Sequence, residues 1–146
     1  MSAAPGRPWQ ARMAALFLAL LVLGSPVWAA CGDVLPQRGR LLAQAADWQV
    51  AFVAVPGPLV ANKPFALDLV VCPAAAGGQL TRLGVDADMP AHKHGMNYRT
   101  VVTPTGEHRY RADGLLLHMP GRWRFLLELE VAPGQVIRLQ REVEVP

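Results

Sequence analysis

The chain has 146 residues with 14 basic and 11 acidic side chains, four histidines, five methionines and two cysteines. That length holds one domain with one core and little more. Setting aside Arg7 and Arg12 at the N-terminus leaves 12 basic residues against 11 acidic ones, a net of +1, which gives no general electrostatic reason to bind nucleic acid.

Residues 1–29 read as a secretory signal peptide. Arg7 and Arg12 form a basic start, Met13 to Leu23 is an uninterrupted apolar run of eleven residues, and Gly24 and Pro26 break it ahead of Val27-Trp28-Ala29. The run is well short of the ~20 residues a membrane span requires. A cut after Ala29 leaves 117 residues, 30–146, for a single domain in the periplasm. Ala29-Ala30-Cys31 also fits a lipobox, but Trp28 stands where an aliphatic residue is expected, so soluble export is preferred to lipid anchoring through Cys31. In an oxidising compartment Cys31 and Cys72 are expected to form a disulfide.

Beyond Asp47 the chain alternates apolar and polar residues, breaks at glycine or proline, and alternates again. Trp48, Val50 and Phe52 share one face of a run that stops at Pro56-Gly57-Pro58, and Phe65, Leu67, Leu69 and Val71 share one face of the next. Leu83, Val85, Ala87 and Met89 alternate with Arg82, Gly84, Asp86 and Asp88. Further runs cover Tyr98 to Val102, His108 to Ala112 and Leu115 to Met119, with Thr103-Pro104-Thr105-Gly106 as a break. Trp123, Phe125, Leu127, Leu129 and Val131 form the apolar side of a long strand, which turns at Pro133-Gly134 into Gln135 to Val145. Period-two patterning with regular turns predicts an all-β protein, an immunoglobulin-like antiparallel β-sandwich of seven to eight strands. Gln37 to Ala46 is at most a short helix.

The chemistry concentrates in Met89-Pro90-Ala91-His92-Lys93-His94-Gly95-Met96 and in His118-Met119, which together hold three of the four histidines and three of the five methionines. Imidazole nitrogen and thioether sulfur are borderline-to-soft donors that suit copper better than magnesium or calcium. The candidate ligands are therefore Met89, His92, His94, Met96, His118 and Met119. Pro90 and Gly95 bracket the two histidines on a loop at one end of the sandwich, where binding groups are commonly presented. A spacing of two in an extended segment points His92, His94 and Met96 the same way. Adjacent strand residues face opposite sides, so only one of His118 and Met119 joins them readily. His108, beside Glu107, reads as a solvated turn residue. The competing reading makes the methionines core fillers and the histidines a loop decoration.

Catalysis finds little support. Both serines, Ser2 and Ser25, precede residue 30, which removes a serine nucleophile, and both cysteines are expected to be paired. Asp86 and Asp88 share a strand face, but the outer face of a strand is ordinarily solvated and lacks a general-acid environment. No enzyme is expected.

Asp88 to Met96, followed by Arg109-Tyr110-Arg111-Ala112-Asp113-Gly114-Leu115 and His118-Met119-Pro120-Gly121-Arg122-Trp123, resembles the YtkA-like/FixH-like group of small exported bacterial domains. These in turn resemble the CopC-type copper carriers in their immunoglobulin-like sandwich. The resemblance runs from about Leu83 to Val131. It implies a periplasmic copper carrier or buffer that passes metal to a membrane oxidase or a copper efflux component. The Tyr-x-x-x-Gly and Pro-Gly-x-Trp elements are mainly structural. CopC-type carriers place a Cu(II) ligand, a histidine, at the mature N-terminus, and this chain has none there. The departure favours a Met-rich Cu(I) site. The alternative is a metal-free interaction module, an assembly factor for a membrane respiratory complex.

Overall fold

A computed structural model describes residues 1–2, 31–73, 77–132 and 134–146. The signal peptide read over residues 1–29 lies outside the described residues apart from its first two. Among the described residues nine strands form two antiparallel sheets: β1 (Leu41–Ala45), β2 (Trp48–Val55), β3 (Pro64–Cys72), β4 (Gln79–Met89), β5 (His94–Gly95), β6 (Val101–Gly106), β7 (Arg109–Leu116), β8 (Gly121–Ala132) and β9 (Gln135–Val145). One sheet has the order β1-β2-β3-β7-β6 and the other β5-β4-β8-β9. The protein is thus an all-β sandwich, as its alternation predicts.

The differences from the sequence reading are local and physical. His108 to Ala112 and Leu115 to Met119 do not make two strands. Arg109–Ala112 and Leu115–Leu116 both lie in β7, which runs on through Gly114 at φ +86, where the chain passes so close to the Arg99 carbonyl that a Cβ would lie 2.9 Å from its oxygen. The segment expected to be helical at most contains β1, which pairs residue for residue with β2 from Leu41 opposite Phe52 to Ala45 opposite Trp48. Its own alternation is weak, and pairing decides its state. Thr103 to Gly106 is not a break but part of β6, an edge strand where Pro104 is tolerated beside a bulge. The two-residue β5 is too short to leave a pattern.

The core forms where the two inner faces meet. Phe125 of β8 packs edge-on to Phe52 of β2 at 5.4 Å and to Phe65 of β3 at 6.3 Å between ring centroids, joining the sheets. Trp123, Leu127, Leu129 and Val131 continue that face, alternating with the half-buried residues between them.

β2 is buried on both faces from Trp48 to Val53, which alternation alone does not predict. Its outer face is covered by the segment from Cys31 to Arg40. Gly32 lies so close to β2 that a Cβ there would stand 2.3 Å from the Ala51 Cβ, and Gly39 lies over Val53. Arg40 donates a hydrogen bond to the Gly32 carbonyl, and the expected Cys31–Cys72 disulfide ties the segment to the end of β3 with Cα atoms 5.9 Å apart.

The disulfide closes a loop with a sequence separation of 41 residues. Restricting that loop in the unfolded chain stabilises the fold by at most about 4 kcal/mol. Denaturant titration of the Cys31→Ala/Cys72→Ala variant is therefore expected to show a lower midpoint, with a loss of roughly 2–4 kcal/mol. An unchanged midpoint would show that the covering segment contributes nothing through its staple.

Candidate metal centre

The candidate ligands gather at the end of the sandwich where the chain leaves β4 and where it crosses from β7 to β8. Met89 closes β4 facing inward, 3% exposed. Pro90 cannot extend the ladder, and Pro90–His92 instead form a single 3-10 turn. Lys93 follows at φ +55, its N–H donating to the Pro90 carbonyl at 3.3 Å. The chain thereby doubles back: His94 pairs with Met89 and Gly95 with Asp88, and the Met96 N–H reaches the Ala87 carbonyl at 3.0 Å.

This turn corrects the expectation that His92, His94 and Met96 project alike from an extended segment. His92 sits on the turn and is exposed, whereas His94, opposite Met89 in register, shares the inward side of the sheet and is half-buried. Their ring centroids are 5.7 Å apart.

The second contribution arrives from the β7–β8 crossing. Leu117 is fully buried, its carbonyl accepting the Asn62 N–H at 2.8 Å, and fixes the chain just ahead of His118. The His118 ring lies 4.8 Å from that of His94, with planes tilted by 38°. Both imidazoles stand on Trp123: His94 at 5.8 Å and 61°, His118 at 5.2 Å and 84°. The fully buried Trp123 donates its Nε1–H to the Met119 carbonyl at 2.9 Å. Met96 and Met119 are half-buried and pack against the core. Met89 reaches across the end of the sheet until its Cε lies over Gly121, where a Cβ would stand 2.6 Å away.

His94 and His118 share an unusual feature. The Nδ1 atom of each is buried and has no hydrogen-bond partner among the described residues. A buried polar atom without a partner costs about 1–3 kcal/mol. The two atoms belong to adjoining rings, which makes them the candidate donors at this end of the sandwich. Among the described residues no group of three or more His, Cys, Asp or Glu side chains is placed to hold a metal ion. The thioethers of Met96 and Met119, half-buried against the core, are the soft donors that remain at this end of the sandwich.

The charged neighbours are engaged elsewhere. Arg124 holds Asp88 by both carboxylate oxygens, its Nε at 2.9 Å from one of them. That hydrogen bond raises the guanidinium pKa above its ordinary value against partial desolvation, so Arg124 stays charged. Asp86 is exposed and accepts the N–H of Ala87 at 2.7 Å, so Asp86 and Asp88 do not act as a carboxylate pair. His108 sits at φ +54 in the β6–β7 turn, 3.9 Å from Glu107 and remote in sequence and register from the histidine pair. Trp123, which the sequence presents as mainly structural, adjoins both rings. The signal for it was Pro120-Gly121-Arg122-Trp123 directly after His118-Met119, a turn that returns an aromatic residue to the same end of the sandwich.

No family model and no curated protein matches the chain. The likeness to the YtkA-like and FixH-like domains thus rests on the motif residues alone. Among solved structures the chain is similar to a DUF4426 family protein from Pseudomonas aeruginosa PAO1, with 10% identity and a TM-score of 0.48, covering 76% of this chain and 99% of that one.

Gly121, at φ +123, leaves room for the Met89 methyl group. Gly121→Ala is expected to lower stability by about 1–3 kcal/mol, through overpacking and the strained φ, and to displace Met89. Thermal melting of the variant beside the parent checks this, and an unshifted midpoint would contradict the packing described.

Proposed function

We propose that this chain is an exported copper-binding protein, a carrier or buffer whose cargo is Cu(I), held by His94 and His118 and completed by thioethers from Met96 or Met119. The observation that carries the reading is the pair of buried, partnerless Nδ1 atoms on rings 4.8 Å apart. Imidazole and thioether donors with no free carboxylate among them form a soft set that favours copper in its lower oxidation state. The motif likeness to the YtkA-like and FixH-like domains, and through them to CopC-type carriers, points the same way. His92, exposed on the turn beside Lys93, is the group that a delivering or receiving partner would meet first. Such a partner would be a membrane oxidase or a copper efflux component. With the Cys31 sulfur committed to a disulfide, it has no free valence for a diacylglycerol thioether, which supports a soluble periplasmic protein over an anchored one.

Each imidazole must be neutral to coordinate, while thioethers do not titrate. Copper affinity is therefore expected to fall as the pH is lowered and to recover as it is raised. Competition titration with a Cu(I) chelator tests the proposal. His94→Ala and His118→Ala are each expected to weaken binding by more than about tenfold, the lower end of what even outer-shell changes at metal sites produce. His92→Ala is expected to cost less, and His108→Ala nothing. If the parent holds no copper, the metal-free interaction module, an assembly factor for a membrane respiratory complex, takes the place of this reading.

A further inference from the structure

We infer that Trp123 is a selectivity element of the His94–His118 site, a cation–π wall that favours a soft monovalent ion, Cu(I) or its surrogate Ag(I), over Cu(II). The inference rests on the copper reading above and extends it to a residue that donates no lone pair.

The indole is fixed before any ion arrives. It is fully buried, and its N–H is taken up by the Met119 carbonyl at 2.9 Å. An imidazole directs its lone pair within its own plane. The planes of His94 and His118 stand at 61° and 84° to the indole, with centroids 5.8 and 5.2 Å from it. Both rings thus lie within the roughly 6 Å over which an aromatic quadrupole attracts a cation, and we place the shared ion on the indole side of them.

That wall has a chemical consequence. Indole nitrogen is a donor only, so Trp123 fills one side of the ion without ligating it and keeps water from that side. Cu(II) seeks a tetragonal set of nitrogen and oxygen ligands. Here Asp88, the carboxylate adjoining Met89 in sequence, is held by Arg124 at 2.9 Å and offers no free oxygen. Cu(I) is content with two imidazoles, a thioether and an apolar wall. The same indole that positions His118 through Met119 would thus also set the oxidation state the site accepts.

The experiment is an anaerobic titration of the full chain with Cu(I) and separately with Ag(I), following indole ultraviolet difference absorption and tryptophan emission, with chelator competition run in parallel. The full chain has four tryptophans, so the Trp123→Phe variant serves to assign the signal. The parent is expected to show indole bands perturbed and emission lost in proportion to added ion up to one equivalent. Trp123→Phe is expected to lack that change, and Trp123→Leu, which removes the aromatic face altogether, to bind Cu(I) about tenfold more weakly, the size of a desolvated cation–π contact, while its weak binding of Cu(II) stays the same or improves. Should the variant fail to fold, Trp48→Phe, at the other described tryptophan, assigns the signal instead: the indole change is expected to persist there, and its loss would overturn the role of Trp123. Tight Cu(I) binding that leaves those bands unmoved overturns the role of Trp123 and leaves the copper reading standing. No binding of either ion overturns both.

Discussion

A buried indole needs an acceptor for its N–H, and Trp123 finds one in the carbonyl of Met119, four residues back along the chain. That single bond ties the segment crossing from the five-stranded sheet to the first rungs of the four-stranded one. Trp123 is the first fully buried residue of β8, paired across to Val143 of β9, so its place is set by the longest ladder in the molecule. The crossing segment inherits that rigidity. His118 is thereby held over the indole, where it meets His94.

His94 arrives by an independent route. Pro90 ends β4, the 3-10 turn and Lys93 reverse the chain, and β5 returns His94 to the rung occupied by Met89. One residue earlier on β4, Asp88 faces Arg124 of β8 in register, and the bidentate ion pair binds the outer side of the same end of the sheet. The end of the sandwich therefore has an ionic outer face and an inner face of imidazole, indole and thioether. The carboxylate behind the inner face is already paired with Arg124. That separation keeps soft chemistry apart from hard chemistry across a single strand.

Much of this architecture is legible in the sequence, because burial on one face of a strand imposes a period of two. The inner residues of β3, β4 and β8 can be read directly, as in Leu67, Val85 and Leu127. Two things escape such a reading. Segments whose state depends on pairing, such as β1 and the proline-containing β6, carry no pattern of their own. The double burial of β2 needs the Cys31–Arg40 segment folded over it, a tertiary fact that only Gly32 and the cysteines hint at. For the candidate site, residue chemistry picks out the residues, and the fold decides which of their rings adjoin. An extended segment pairs His92 with His94, whereas the turn that Pro90 enforces sends His94 to His118. Cross-strand register, which sequence does not specify there, decided which imidazoles meet.

The central claim is that two imidazoles from separate segments share one soft metal ion. X-ray absorption at the copper edge of the Cu(I)-loaded full chain tests it most directly. The account predicts one tightly held copper per chain with imidazole scattering from two histidines and at least one sulfur neighbour near 2.3 Å, a typical metal–sulfur length. A shell of oxygen ligands alone, or a spectrum identical in the His94→Ala and His118→Ala variants, would contradict it.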